Sequence, residues 1–200
     1  MEYIELSPES LKDKCKDLAS LIEKDKFDYD LVVFVGRGAL PIGMWFSEYS
    51  KVPLLEIKTV RKGNKLKKVL SPLLKVLPKK VLIDLRNKEA ESKYHDRKNT
   101  REVSYNHKKY EQYRDKRKIL LIDDSIDSGN TIVACFNKLH ELNKDADIRV
   151  AAIVYFDRSI YKPKYYLYKD YLLCGPWSND SKYNSLFEKE YKRWKEEYDK

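Results

Sequence analysis

The chain has 200 residues, long enough for one α/β domain with a real core and additions around it. Its formal net charge of +9 belongs to one segment: residues 61–118 hold 20 Lys and Arg against 7 Asp and Glu, and the remainder holds 21 against 25. The opening Met1-Glu2-Tyr3-Ile4-Glu5 lacks the basic and apolar regions of a signal peptide, no uncharged apolar run approaches spanning length, and three widely spaced cysteines (Cys15, Cys135, Cys174) point to a reducing, cytoplasmic setting without a zinc site.

Ser7-Pro8 supplies an N-cap and a first-position proline, so a helix is expected from there to about Lys26, with Leu11, Cys15, Leu18 and Ile22 on one face. Leu31-Val32-Val33-Phe34-Val35 is an unbroken apolar run, as expected of a strand buried on both faces of a parallel sheet. It leads into Gly36-Arg37-Gly38-Ala39-Leu40-Pro41 and a helix to about Ser50. Such a turn lets backbone N–H groups approach an anion while Arg37 adds a two-pronged guanidinium, although Gly-x-Gly turns also occur as plain connections.

Val52 to Ile57 reads as the next strand. Residues 61–118 then form a long basic insert. Val69 to Leu85 packs ten aliphatics into seventeen residues, broken by Pro72 and Pro78, and suggests two short helices, the second over about Lys79 to Tyr94. Val81-Leu82-Ile83 could equally be a strand. Asp96 to Lys118 is polar and basic, with Tyr105, Tyr110 and Tyr113 interleaved, and His95 and His107 have no partner at ligand spacing. Three roles fit the insert: a solvated lid packed on the core or on a second subunit, a platform for a large or lipid-linked acceptor at a membrane surface, and, weakest of the three, a nucleic-acid contact.

Lys118 to Thr131 is the most informative stretch. Ile119-Leu120-Leu121-Ile122 reads as a doubly buried strand, and Asp123-Asp124 stand where it should end. Asp127-Ser128-Gly129-Asn130-Thr131 then opens a helix whose apolar positions are Ile132, Val133, Phe136, Leu139 and Leu142. A helix N-terminus of this kind holds a phosphate, and carboxylates beside it suit hydroxyls or a hydrated cation on the same ligand. A plain turn capped by Asp127 or Ser128 would need neither Asp123 nor Asp124.

Arg149 to Phe156 is a further buried strand. Tyr161-Lys162-Pro163-Lys164-Tyr165-Tyr166 and Tyr171 to Trp177 follow, read from the residues as an aromatic-rich hairpin on the sheet or as part of a site. A last helix from about Asn184 carries Phe187, Tyr191, Trp194 and Tyr198 for packing or subunit contact.

The stretch Ile119 to Thr131 resembles the phosphoribosyl-diphosphate (PRPP) motif of the type I phosphoribosyltransferases. That resemblance implies one α/β domain over residues 1–200: a parallel sheet with helices on both faces, the basic insert 61–118, a small hood over 161–180 and a C-terminal helix over 181–200. It implies that Asp123 and Asp124 hold the ribose hydroxyls and the shell of a Mg²⁺ ion, and that Asp127, Ser128, Gly129, Asn130 and Thr131 wrap the 5-phosphate. Asp127 would lie nearest the reacting carbon and serve as general base. Arg37 and Gly38 would belong to the pyrophosphate loop, with a strained Gly36–Arg37 peptide that could be cis. By likeness to the purine-type hood, Tyr171 would stack on a flat acceptor and Leu172 would meet it through its backbone.

The usual Lys at the end of the strand before the hood is missing, its place falling among Tyr155, Phe156 and Asp157. The first expectation is therefore transfer of phosphoribose from PRPP to a purine-like nucleobase with release of pyrophosphate. Transfer to a sugar hydroxyl on a glycan or lipid-linked intermediate is the alternative, motivated by the missing Lys and the amphipathic insert. A PRPP-sensing, nucleic-acid-binding regulator comes third, since a sensor has no need of Asp127. A homodimer and a peripheral membrane contact through the insert complete the expected partners.

Overall fold

The computed structural model describes residues 2–61 and 101–198. The helices expected between Val69 and Tyr94 lie outside these residues. A six-stranded sheet runs in the order β4-β3-β2-β5-β6-β7, with β2 at Leu31–Val35, β3 at Leu54–Arg61, β4 at Arg101–Tyr105, β5 at Lys118–Ile126, β6 at Asp147–Tyr155 and β7 at Tyr165–Lys169. All neighbours are parallel except the β3–β4 pair. A second, two-stranded parallel sheet joins β1 (Glu2–Glu5) to β8 (Tyr171–Cys174).

The central strands explain the layering. Val32 and Phe34 of β2, with Leu120 and Ile122 of β5, face one cluster that holds Leu11, Leu18 and Ile22 of α1 (Pro8–Lys24) and Phe46 of α2 (Leu40–Ser50). Leu31, Val33, Ile119 and Leu121 face the other, with Ile132, Cys135 and Leu139 of α4 (Asn130–Leu142) and Tyr110 of the short α3 (His107–Glu111). Successive residues of a strand point to opposite faces, so only a sheet covered on both sides makes every position of these runs apolar. Helix α1 starts as its sequence requires: Ser10 N–H donates to Ser7 Oγ at 3.1 Å and Ser7 N–H donates to Ser10 Oγ at 2.8 Å.

Several expectations change. β5 does not stop before the acidic pair: it pairs Asp123 with Ala152 and Ser125 with Val154, since the neighbouring β6 is long enough to carry it. The Gly36–Arg37 peptide is trans, as are all peptide bonds among the described residues, and Gly36 takes φ +62° instead. The end of the basic insert belongs to the sheet, because β4 returns antiparallel to β3 with Tyr105 opposite Ile57. β7 and β8 are not a hairpin. Asp170 between them takes a left-handed φ of +60°; β7 before it stays in the main sheet, and β8 after it turns to β1.

The C-terminal helix α5 (Asn184–Tyr198) ties the hood to the far sheet edge. The Asn184 amide donates to the Trp177 carbonyl at 3.2 Å, Trp194 lies edge-on to Phe34 at 5.3 Å, and Glu56 of β3 takes Tyr191 and Lys195 from this helix. Glu56 is buried, and Lys58 joins it at 3.0 Å. Replacing a charged acceptor costs about 1.5–3 kcal/mol. Glu56→Gln should therefore lower the thermal midpoint by roughly 3–12 °C. Hydrogen exchange should speed up first in α5; equal acceleration across the sheet would show that Glu56 does not act through this helix.

Candidate active site

Two loops at the C-terminal ends of adjacent parallel strands form the site. After β2, Gly36 turns the chain, its N–H held by the Ile57 carbonyl at 3.0 Å. α2 then begins at Ala39 with no side-chain cap; Leu40 N–H donates to the Arg37 carbonyl at 3.3 Å, and Pro41 carries no N–H. After β5, Gly129 at φ +79° is the N-cap of α4, again without a side-chain cap. The opening of α4 therefore presents backbone donors to an anion, while the turn after β2 offers chiefly the side chain of Arg37.

The loops touch at Gly38. A Cβ there would stand 2.8 Å from Asp124 Oδ2, so a larger residue could not be placed without moving the acidic pair. Asp124 N–H donates to Asp123 Oδ1 at 2.9 Å, and the Trp177 indole approaches the Asp124 carboxylate from the hood and favours its charged form. Burial, then the neighbouring Asp124 charge, raise the Asp123 carboxyl well above the usual carboxylate range. Burial raises Asp124 as well, against the hydrogen bonds it accepts. The Arg101 guanidinium, from the first residue of β4, acts on Asp123 in the opposite direction. Two buried carboxyls sharing one place favour uptake of a positive charge, whether a proton or a metal ion.

Among the described residues no third His, Cys, Asp or Glu joins the pair. An oxygen-only set of two carboxylates suits Mg²⁺, which keeps waters and substrate oxygens in its shell.

Asp127, Ser128, Gly129, Asn130 and Thr131 lie together in the turn opening α4. Asn130 donates to Ser128 Oγ at 3.1 Å, and the loop after β6 supports the turn from outside through Ile160 N–H to the Ser128 carbonyl at 3.1 Å. A Cβ on Gly129 would meet Ser159 Oγ at 2.4 Å, in addition to the left-handed strain. The Asp127 carboxylate is held by Arg158, whose Nε and Nη2 donate to Oδ1 at 2.9 and 2.5 Å.

Arg37 points elsewhere than its loop suggests. It is half-exposed, paired with Glu188 of α5 and laid over the rings of Phe187 and Tyr191 at 5.2 and 5.7 Å. Tyr171 faces Glu2, whose charge raises its phenol, and lies 5.4 Å from Tyr168 on the β1 side of the hood, and Leu172 is buried in the core beneath. Sequence reasoning passed over Arg158, Arg101 and Glu188. Arg158 had a signal, an Arg three residues beyond the end of a central parallel strand, where such sheets place their ligands. Arg101 and Glu188 had none, lying among many other charges.

The family model for the phosphoribosyl transferase domain matches residues 6–184. Nothing among curated protein sequences matches significantly. Among solved structures, a purine phosphoribosyltransferase from Pyrococcus horikoshii is 16% identical, with 89% of this chain and 95% of that chain covered at a TM-score of 0.61. A Helicobacter pylori xanthine-guanine-hypoxanthine phosphoribosyltransferase is 15% identical, with 88% and 94% covered at 0.61. A hypothetical protein from Neisseria gonorrhoeae with bound ppGpp is 15% identical, with 94% of each chain covered at 0.58.

The raised carboxyls give a stability prediction. A folded-state carboxyl held above its unfolded value costs stability once it ionises, a cost present above the folded value and lost as pH falls toward the unfolded one. Asp123→Asn keeps the acceptor for Asp124 N–H and removes the charge. Without ligand at neutral pH it should raise the thermal midpoint by roughly 2–4 °C for each 1 kcal/mol relieved. The gain should shrink on acidification, and a gain constant with pH would mean that the charge is not its source.

Proposed function

The chain belongs to the phosphoribosyl transferase domain family, and on that premise we propose that it moves 5-phosphoribose from PRPP to an acceptor, with release of pyrophosphate and with Mg²⁺ held by Asp123 and Asp124. The observation that carries this reading is the contact of Gly38 with Asp124, which sets the two anion-binding loops and the acidic pair side by side. One ligand with a phosphate at one end, a diphosphate at the other and a diol between them fits that arrangement. When bound, the metal ion would offset the leaving diphosphate's charge.

The remaining steps belong to the chain. The Ser128 to Thr131 turn would take the 5-phosphate on its N–H groups. Ionised Asp123 and Asp124 would grip the ribose hydroxyls and favour positive charge on C1 as its bond to the pyrophosphate oxygen breaks. The acceptor nitrogen would close the new bond to C1 while its proton passes to the Asp127 carboxylate. Pyrophosphate would leave with the electron pair, against Arg37 and the N-terminus of α2.

A purine-type base is the first acceptor, in keeping with the Pyrococcus and Helicobacter neighbours and with a hood whose Trp177 closes on Asp124. Tyr171 and Leu172 keep their assignment to the acceptor as part of this proposal. Transfer to a sugar hydroxyl is a second reading, favoured by the end of β6. Tyr155 stands there with its hydroxyl donated to Asp157 at 2.8 Å, where a cation would otherwise read an oxo group. Pyrophosphate release from PRPP, measured with hypoxanthine, guanine, xanthine, adenine and sugar acceptors and with ppGpp as competitor, separates the readings. No release with any acceptor, together with no PRPP binding, would overturn the proposal.

Arg37 must exchange Glu188 for pyrophosphate. Its pair with Glu188 is exposed and worth about 0–1 kcal/mol, whereas a charge-assisted bond to the diphosphate is worth about 1.5–3 kcal/mol, so the exchange favours ligand. Arg37→Ala should weaken pyrophosphate roughly ten- to a hundredfold and ribose 5-phosphate far less. Glu188→Gln should strengthen pyrophosphate by no more than about fivefold. Calorimetry checks both, and equal losses for both ligands in Arg37→Ala would make Arg37 structural.

Asp127→Asn keeps the turn but cannot take a proton. Its kcat should fall by about 10²–10⁴, with PRPP affinity within about tenfold of the starting protein. A variant that no longer binds PRPP would make Asp127 a member of the phosphate turn and not the base.

A further inference from the structure

The loop after β6 brings a residue to the site that the motif does not contain. Arg158 directs both Nε and Nη2 at Oδ1 of Asp127, and the contacts of its guanidinium involve no donor on Oδ2. Phe156, buried in the core, backs the guanidinium at 4.7 Å. The loop cannot drift from the turn that carries Asp127: Phe156 N–H bonds the Ile126 carbonyl at 3.0 Å on one side, and Ile160 N–H bonds the Ser128 carbonyl on the other. Among the described residues, the hydrogen bonds of Arg158 go to Asp127 alone. It is therefore aimed at the carboxylate, and not at the acidic pair or the phosphate turn.

We propose that Arg158 is a positioning residue for the transfer step, holding Asp127 by Oδ1 so that Oδ2 faces the acceptor. This rests on the reading of Asp127 as the base. A carboxylate free to turn about its last bond would offer either oxygen in many directions. This one is fixed by a planar fork, itself backed by an aromatic ring. As the C1–O bond breaks and its electron pair leaves with pyrophosphate, the acceptor nitrogen bonds C1, its N–H proton passes to Oδ2, and Arg158 stays protonated. A misplacement of about 1 Å in such a group can cost 10²-fold in rate, which sets the expected size of the effect.

The test is a double-mutant cycle on the full chain. Pyrophosphate release from PRPP with Mg²⁺ is measured with hypoxanthine and with water alone, and PRPP affinity is measured by calorimetry. Arg158→Gln should lower kcat by about 10–100-fold while PRPP affinity and thermal midpoint stay close to those of the starting protein. In the Asp127→Asn background the same change should cost less than about twofold, because there is no base left to position. Arg158→Lys should recover part of the rate, and added guanidinium ion should restore part of Arg158→Ala. Additive losses, or a fall in PRPP affinity parallel to the fall in kcat, would show that Arg158 only fastens the loop. A starting protein that turns PRPP over while the cycle is additive overturns this assignment and leaves the function standing. One that neither binds PRPP nor releases pyrophosphate overturns both.

Discussion

The site depends on one close approach, that of Gly38 to the carboxylate of Asp124. β2 and β5 are neighbours in register from Leu31 opposite Ile119 to Phe34 opposite Ile122, so their loops emerge side by side. Adjacency alone would leave a gap of one side chain between them. The missing Cβ at position 38 closes it and makes one concave surface from two helix openings and an acidic pair. The hood completes it in the same manner: a Cβ on Gly175 would stand 2.3 Å from the Trp177 ring, so glycine there gives the indole its path to Asp124.

Carboxylates in this site are handled in two opposite ways. Asp123 and Asp124 are packed together beneath the loops, where burial disfavours their charge and, among the described residues, no lysine forms an ion pair with them; the nearby Arg101 only moderates Asp123. Such a pair is costly in the free protein, and on the proposed reading it becomes favourable when a cation and hydroxyls arrive. Asp127 is instead neutralised in place by Arg158 at partial exposure. The first arrangement waits for a charge to be supplied, and the second already has it. On the proposed reading, that difference matches a division between holding the donor and serving the acceptor.

Much of this was legible because the chemistry is local. The apolar runs Leu31–Val35 and Ile119–Ile122 can only be strands covered on both faces, and the turn Asp127 to Thr131 combines glycine, small polar residues and a following helix within one stretch. What escaped is non-local. Glu2–Glu5 pairs with Tyr171–Cys174 across nearly the whole chain, and nothing in four residues announces that partner. Arg101–Tyr105 alternates exposed and half-buried positions as an edge strand should, yet its sequence lies inside a run of charges that masks the alternation. The separation of β7 from β8 turns on the left-handed Asp170, a backbone state that Lys169-Asp170-Tyr171 permits without demanding. Arg158 illustrates the same limit. Its position beyond a strand end was visible, but its direction is fixed by Phe156 and by bonds to the neighbouring loop.

The acceptor side of the site follows from those pairings. At the end of β6 the Tyr155 hydroxyl donates to Asp157, and Asp157 also takes Lys169 at 3.0 Å. One residue further on, Arg158 is engaged by Asp127. Arg158 and Lys169 are thus each matched by a carboxylate, and an anionic acceptor drawing on either would have to displace that partner. An uncharged acceptor needs no such exchange. It could present an N–H or O–H to the free oxygen of Asp127 while the two pairs stay closed. On the proposed reading, the electrostatics of this edge therefore select a neutral nucleophile, leaving the choice between a base and a sugar to shape and to the hood.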